Sequence, residues 1–318
     1  MKVFNHLDQI IEPFNHAVIT IGNFDGVHIG HQALFHEVIE KAETISGTSV
    51  AMTFEPHPLR VLKQNNHPPL ITLYEQKSEL IQRTGIDVLI CVPFTIEFAA
   101  LSAEQFVRDL LVQKIGIKAI VVGEDYSFGK NREGNIDLLR SYGPEYGFEV
   151  IVAGWIKSAR ALAERISSTK IRQLVTDGRM GQAEKMLGRN YQIRGKVVTG
   201  RDRGGKLLGI PTANINLHDE LCPKTGIYAV TVECEGNQHR GVANIGYSPT
   251  FEDHEFTVEV HIFDFSANIY GRKIRVNFIQ RIRDEIKFSN ISELIDQIKL
   301  DIAAAHEILA KPGNQSIL

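Results

Sequence analysis

Short apolar runs alternate with amphipathic stretches through the first half of the chain. The apolar runs predict buried strands at 18–21, 49–54, 88–92, 119–122 and 149–153. Helical periodicity lies between them, at Leu34, Val38, Ala42 and Ile45, near 80–83, and over 103–115 and 138–142. Strands that alternate with helices in this way indicate an α/β doubly wound parallel sheet, whose ligands bind at the carboxyl ends of the strands.

The pattern changes after about residue 185, where turn residues separate shorter strands. These are predicted at 192–198, 226–233, 240–245, 257–263 and 273–279. In the fourth, Val258, Val260 and Ile262 alternate with Glu259 and His261, so the two sets lie on opposite faces. We predict a small antiparallel β-barrel followed by a C-terminal helix. The apolar stripe of that helix is Ile291, Leu294, Ile298, Ile302, Ala305 and Leu309. The predicted domains are 1–185 and 186–318.

Composition agrees with two globular domains in 318 residues. Hydrophobic residues make up 43% and charged residues 23% of the chain, which argues against disorder. A net charge of −3 does not show the excess of basic residues that is typical of nucleic-acid-binding proteins. The three cysteines form no C-x-x-C pair, and neither a signal peptide nor a membrane-spanning run is present. We therefore expect a cytoplasmic protein without membrane or nucleic-acid partners, of an oligomeric state that the sequence does not indicate.

The stretch after the first predicted strand is the most informative for function. It reads Gly22-Asn-Phe-Asp-Gly-Val-His-Ile-Gly-His31, and a helix is expected to open at His31. Its small and polar residues allow positive φ and close approach to a ligand; these are Gly22, Asn23, Asp25, Gly26 and Gly30. A helix N-terminus favours anions. Strand, turn and helix together predict a phosphate site, and the imidazoles of His28 and His31 suggest phosphate chemistry, although two neighbouring histidines alone would be weak evidence.

Two further segments of the first half are candidates for contact with a ligand. Ser167-Ser-Thr-Lys-Ile-Arg172 offers hydroxyls before a predicted helix start, followed by an arginine fork suited to phosphate oxygens. Hydroxyls at such a position are more often helix caps. Phe54-Glu-Pro-His-Pro58 contains two prolines that stiffen the exit from a strand. It is either a rigid loop or a fixed wall for a planar ligand, and the sequence does not separate the two.

The second half contains a candidate for metal binding and a candidate base. Thr212 and Asn214, in Gly209-Ile-Pro-Thr-Ala-Asn214, offer the oxygen ligands that suit Mg²⁺, and they follow Gly204-Gly205-Lys206. Each is also an ordinary turn residue. Glu259 lies in a strand on the face opposite Val258 and Val260, where a carboxylate could accept a proton. In an unknown fold it would more often be a solvated carboxylate.

At these residues the chain resembles the bifunctional riboflavin kinase/FAD synthetase family over nearly its whole length. The first four motifs resemble the adenylyltransferase module: 22–31, 54–58, 123–129 with Arg132 and Gly134, and 167–172. The next four resemble the kinase module: 209–214, 226–230, 244–251 and 259–265. Any one of them could arise by chance, whereas eight in the family's order are specific.

The resemblance implies a nucleotidyltransferase-like first domain that joins FMN to the adenylyl group of ATP. It implies catalytic roles for His28, His31 and Arg172. It further implies ATP binding by Gly22, Asn23, Phe24, Asp25, Gly30, Ser167, Ser168 and Thr169. The flavin-binding residues would be Phe54, Pro56, His57, Pro58 and Asp125.

For the second domain, the resemblance implies a riboflavin kinase that makes FMN. Glu259 would be the base, Thr212 and Asn214 would bind Mg²⁺, and Gly205 and Lys206 would bind ATP. Riboflavin, FMN, FAD and ATP are then substrates or products, with Mg²⁺ as the cofactor. Four positions depart from the common pattern, namely Asn190, Gly204, Lys206 and Ile210, and loss of an arginine fork at Lys206 could weaken ATP binding.

Three other interpretations explain less of the sequence. A nucleotidyltransferase with another acceptor would leave 190–310 without a purpose. A class I aminoacyl-tRNA synthetase would share the His-Ile-Gly-His string, yet the chain is short and has no K-M-S-K-S segment. An inactive flavin-binding protein would be expected to have lost some of the residues assigned to chemistry, such as His28 or Glu259.

Overall fold

The computed structural model describes residues 1–63, 67–154, 165–198, 210–215, 217, 219–247 and 256–311. The chain divides into two compact units, Met1–Ser168 and Thr169–Leu318. The predicted boundary at 185/186 follows the change in sequence pattern and stays a prediction. The described segments contain no helix that is both long enough and apolar enough to cross a membrane.

The first unit is built on a six-stranded sheet in which every neighbouring pair is parallel. Its strands are β1 Lys2–Phe4, β2 Ala17–Ile21, β3 Ser49–Glu55, β4 Val88–Pro93, β5 Ile117–Gly123 and β6 Glu149–Ala153. The spatial order is β1-β4-β3-β2-β5-β6. The chain therefore reverses its direction of winding at β2 and β5, and open α/β sheets bind ligands at the carboxyl ends of such strands.

Helices cover both faces of this sheet. They are α1 Ile29–Thr44, α2 Pro58–Lys63, α3 Tyr74–Gln82, α4 Ile96–Ala99, α5 Ala103–Gln105 and α6 Ile136–Tyr146. A π-helix, Phe106–Ile115, continues α5, and short 3₁₀ turns lie at Leu7–Gln9 and Lys130–Arg132. Alternate strand residues enter two cores because side chains of a strand alternate between faces. Val18 packs with Phe35 of α1, and Ile19 packs in the core that contains Phe106.

The second unit contains a closed six-stranded antiparallel barrel, in the order β10-β11-β8-β7-β12-β9. Its strands are β7 Tyr191–Val198, β8 Ala213–Ile215, β9 Gly226–Cys234, β10 Asn237–Tyr247, β11 Phe256–Ile262 and β12 Lys273–Arg283. Its helices are α7 Ser168–Thr176, whose first residue closes the first unit, α8 Met180–Leu187 and α9 Ile291–Ala310. Val258, Val260 and Phe278 are fully buried. Ala305 and Leu309 of α9 pack on Ile227 and Ala229 of β9.

The predicted fold class, a doubly wound parallel sheet followed by an antiparallel barrel and a C-terminal helix, is confirmed. Two short strands were not predicted. β1 is an edge strand of three residues, and β8 has three residues inside the Gly209–Asn214 motif. Strands of this length carry too few alternating positions to produce a periodic signal.

Candidate functional site

The loop between β2 and α1 lies at the carboxyl end of a central strand. A helix was expected to open at His31, but α1 begins at Ile29 and His28 is its N-cap. The reason is a local hydrogen bond: the His31 backbone N–H donates to His28 Nδ1 across 3.2 Å. A side chain that accepts from an N-terminal amide caps the helix here, so that it begins two residues earlier than the sequence pattern indicates.

The two histidines of this loop form one stacked pair. Their ring centroids are 3.5 Å apart and the planes differ by 16°. His28 is buried, and the edge of His31 meets the Phe24 ring with centroids 5.3 Å apart. Because Nδ1 of His28 accepts a hydrogen bond, the proton of its neutral ring is on Nε2. His28 can therefore donate from Nε2 beside the N–H groups of the helix terminus, an arrangement that suits a phosphate oxygen.

Positive φ in this loop occurs at only one of the residues predicted to adopt it. It occurs at Phe24 (47°), Gly26 (86°) and Val27 (40°), and only Gly26 was among the expected positions. A β-branched residue such as Val27 rarely adopts this conformation, and such strain is concentrated at functional sites. Gly22 and Gly30 do not have positive φ, but their lack of a side chain leaves room for two neighbouring rings. A Cβ on Gly30 would lie 3.2 Å from the His28 ring, and one on Gly22 would lie 2.9 Å from the Phe24 ring.

Asp25 fixes the loop to the segment before α3. Its buried carboxylate accepts hydrogen bonds from the backbone N–H groups of Ile71 and Thr72, with the shorter distance to each 3.1 Å. The Thr72 hydroxyl accepts from Gly26 N–H at 3.0 Å. Ser168 Oγ donates to the Asp25 carbonyl oxygen at 2.8 Å. Asp25 and Ser168 thus hold the loop in place, and their predicted contacts with ATP stay a prediction.

A buried lysine that the sequence analysis missed lies beneath this loop. Lys77 Nζ donates to the carbonyl oxygens of Asn23, at 3.3 Å, and Phe54, at 3.5 Å. Burial lowers its pKa, and the negative charge of Glu55 opposes that shift. Lys77 joins the predicted ATP loop to the predicted flavin loop. The available signal was a charged residue on the buried face of an amphipathic helix.

The Phe54–Pro58 loop follows β3. Glu55–Pro56 is a cis peptide, and His57 is buried with its Nδ1 accepting from Leu59 N–H at 3.2 Å. The Phe54 ring lies 5.6 Å from Phe94 and 5.8 Å from Phe98, measured between centroids. These three partly buried rings form an aromatic cluster at the carboxyl end of β3 and β4, and the sequence analysis had identified only Phe54.

The remaining predicted residues of the first site lie on other segments, after β5 and at the start of α7. Asp125, after β5, is exposed and pairs with Arg165 Nη2 at 2.5 Å. Ser167 is half-buried and Thr169 is exposed, on either side of Ser168. Arg172, one helical turn further along α7, is half-buried in the second compact unit, and its role stays a prediction.

The barrel brings two of its predicted residues side by side. Glu259 of β11 is the register partner of Asn214 on β8 and of Asn244 on β10. Directly opposite residues of antiparallel strands share a face, so the three form one polar row. The row lies on the outer face, since the neighbours Val258, Val260 and Ala243 are fully buried. Asn244 was not predicted, although alternation along its strand would have placed it on that face.

Burial raises the pKa of the Glu259 carboxyl. No hydrogen bond joins any of the three side chains of the row to another described residue. Thr212, two residues before Asn214, is half-buried. Carboxylate, amide and hydroxyl oxygens make a donor set that fits Mg²⁺ shared with phosphates. Within the described ranges no three His, Cys, Asp or Glu side chains cluster as metal ligands.

Two of the four departures from the family pattern lie within the described residues and two lie outside them. Gly204, Gly205 and Lys206 lie outside the described residues, as does the 248–251 part of the motif that begins at Asn244. Asn190 is half-buried immediately before β7, and Ile210 is half-buried before Thr212.

Comparison with known proteins assigns a family to each half. A family described as FAD synthetase matches residues 11–170, and one described as riboflavin kinase matches 187–309. A bifunctional riboflavin kinase/FMN adenylyltransferase of Escherichia coli K12 is 40% identical, with 98% of this chain and 100% of that protein covered. One from Buchnera aphidicola is 37% identical over 95% of this chain and 97% of that protein. A Streptococcus pneumoniae crystal structure described as a macrolide-efflux protein superposes with a TM-score of 0.85, at 34% identity, covering 96% of this chain and 98% of that one.

The fold and the two sites define a two-domain transferase, with a nucleotidyltransferase-type sheet domain and a kinase-type barrel domain. The chain belongs to the bifunctional riboflavin kinase/FMN adenylyltransferase family. The predicted family and enzyme class are confirmed.

Proposed function

We propose that this protein converts riboflavin to FMN in its barrel domain and FMN to FAD in its sheet domain, with ATP as the second substrate of both steps. The observation that carries the proposal is the contrast between the stacked, helix-capping histidines of one compact unit and the Glu259 row of the other. The Glu259 row fits phosphorylation of an alcohol, and the histidine pair fits adenylyl transfer.

In the kinase step, Glu259 takes the proton of the terminal ribityl hydroxyl. The hydroxyl oxygen then attacks the γ-phosphorus of ATP, the bond to ADP breaks, and FMN forms. An alcohol is a poor nucleophile, so a positioned base helps, and its raised pKa makes the carboxylate a better proton acceptor. Thr212 and Asn214 would hold Mg²⁺ with the ATP phosphates, and Gly205 and Lys206 would bind ATP. Bound Mg²⁺ supplies charge neutralisation at those phosphates.

In the adenylyl transfer, the FMN phosphate is already an anionic nucleophile and needs no base. Its oxygen attacks the α-phosphorus of ATP, pyrophosphate leaves, and FAD forms. Charge must be stabilised at the α-phosphate and on the leaving group. His28 Nε2, His31 and the α1 N-terminus are assigned to that task, with Arg172 as a further donor.

The substrates of the adenylyl transfer are assigned to the loops around that pair. Gly22, Asn23, Phe24 and Gly30 would line the ATP phosphates. The other residues assigned to ATP binding are Asp25, Ser167, Ser168 and Thr169. Phe54, Pro56, His57, Pro58 and Asp125 would contact the flavin. The aromatic cluster of Phe54, Phe94 and Phe98 supports this assignment because a planar ring system can pack against aromatic side chains.

Three finer points are part of the proposal. Mg²⁺ is the metal of both steps. The protein acts in the cytoplasm, which is consistent with three cysteines that form no disulfide. The functional domains are 1–185 and 186–318, a division supported by the gap between the two family matches, at 171–186.

The test is a time course of the purified chain with riboflavin, ATP and MgCl₂, in which FMN and FAD are separated chromatographically. We expect FMN to appear first and FAD to follow, with EDTA stopping both. Supplied FMN should give FAD without a lag. Absence of FMN formation would exclude the kinase role, and FMN without FAD would exclude the adenylyltransferase role.

A further inference from the structure

Thr212 lies just outside the ladder that holds Asn214 opposite Glu259. β8 pairs with β11 at three positions, opposite Val258, Glu259 and Val260, and with β7 at two, and it begins only at Ala213. Pro211 lies two residues before β8 and has no N–H to donate, so a regular ladder does not continue through it. Residues 211 and 212 therefore need another attachment if the Thr212 hydroxyl is to stay close to Asn214, the register partner of Glu259.

His261 provides that attachment. Its Nδ1 lies 2.9 Å from the carbonyl oxygen of Pro211. A carbonyl oxygen only accepts, so the imidazole donates from Nδ1, and the neutral ring carries its proton there. His261 lies two residues after Glu259 on β11, which puts both side chains on the same face of the strand. The ring also meets Phe263, with centroids 5.8 Å apart.

We propose that His261 is a positioning residue of the kinase site. It holds the Pro211 carbonyl at the end of the β8–β11 ladder and so keeps Thr212 in place near Asn214, which lies opposite Glu259. The inference rests on the proposed kinase role of this site. Because the hydrogen bond uses Nδ1 alone, it can be tested with side chains that replace one ring nitrogen at a time.

Three variants of the full chain separate the roles of the two ring nitrogens. The amide of His261→Asn can donate from near the Nδ1 position, the amide of His261→Gln reaches only the Nε2 position, and His261→Ala reaches neither. We expect Ala and Gln to raise the KM for Mg·ATP about tenfold, the effect of about one hydrogen bond. The kcat should change less, and Asn should stay within about threefold of the unsubstituted chain.

Adenylylation of supplied FMN by the same preparations is the control within the chain, and it should not change. The role is overturned if Asn is as damaging as Gln, if all three variants keep the original KM, or if both activities fall in equal proportion.

A second measurement is independent of activity. ¹⁵N NMR of the ring nitrogens, without nucleotide and at a pH where imidazole is neutral, should include the signals of an Nδ1-protonated ring that disappear in His261→Asn. Signals of an Nε2-protonated ring for His261 would overturn the inference. A chain that makes no FMN would refute the proposed kinase role, while the NMR result would still decide whether the hydrogen bond exists.

Discussion

The two sites differ in how far the protein already engages their polar groups. In the sheet domain, the Asp25 carboxylate, the Asn23 carbonyl and His28 Nδ1 all accept hydrogen bonds from the surrounding protein. In the barrel, the side chains of Asn214, Glu259 and Asn244 form no hydrogen bond to another described residue. A site that stabilises charge on phosphates benefits from a rigid frame. A site that removes a proton needs a carboxylate whose oxygens remain available.

The largest expected effect is that of Glu259→Gln, which keeps the shape and removes the base. The riboflavin kinase kcat/KM should fall by about 10² to 10⁴, the usual contribution of general base catalysis. Conversion of supplied FMN to FAD should stay unchanged, because the residues assigned to it lie elsewhere. Steady-state rates of both reactions on one preparation measure this. A normal kinase rate would remove Glu259 as the base.

His28→Ala should abolish most FAD formation while FMN accumulates, with a loss of about 10² to 10³ in adenylylation, as for removal of a single oxyanion donor. His28 is also the N-cap of α1, so the alanine variant should lose about 1 kcal/mol of stability. His28→Asn is the matched control: it restores a good N-cap without the imidazole. Recovery of activity in the asparagine variant would show that the cap, and not the ring, matters.

Gly30→Ala tests whether adenylylation requires the His28 ring to stay in its observed position. The new Cβ would meet that ring at 3.2 Å, and a displaced donor should slow adenylylation about tenfold. The control is Gly181→Ala, because a Cβ there meets nothing within 4 Å and Gly181 lies inside α8. Kinase rates should be equal in both variants. Equal adenylylation rates would mean that the ring tolerates the contact.

The smallest effect concerns stability and pH. Burial raises the folded-state pKa of Glu259, so its ionisation opposes folding. The stability that the protonated group contributes is full below its unfolded pKa and is lost as pH rises through the folded value. In metal-free protein, the Tm of Glu259→Gln should therefore exceed that of the unsubstituted chain by a growing margin as the pH rises above the unfolded pKa of a glutamate, about 4.3. A margin that shrinks with pH would contradict the sign of the shift.

Periodicity in the sequence was sufficient for the architecture because most elements are long enough to show it. β2, β3 and β4 are continuous apolar runs, as strands covered on both faces must be. β8 was missed because three residues carry no period. The start of α1 at Ile29 was missed because it depends on one hydrogen bond from a backbone amide to the side chain of the N-cap His28, which the local pattern does not encode.

The site could be located from the sequence, but its internal connections could not. Phosphate-binding character at 22–31 follows from strand, turn and helix in succession. The positive φ of Phe24 and Val27, however, occurs on either side of Asp25, whose carboxylate accepts from Ile71 and Thr72, 46 to 47 residues away. Lys77, Asn244 and His261 acquire their positions through α3, strand register and the Pro211 carbonyl, none of which a single motif contains.

The central claim is that the chain has two chemical centres on separate residue sets, connected by FMN. The most direct test mixes equal amounts of His28→Ala and Glu259→Gln chains with riboflavin, ATP and MgCl₂. Neither variant alone should make appreciable FAD from riboflavin, whereas the mixture should, because one supplies FMN and the other adenylylates it. A mixture that makes no more FAD than the separate variants would contradict the account.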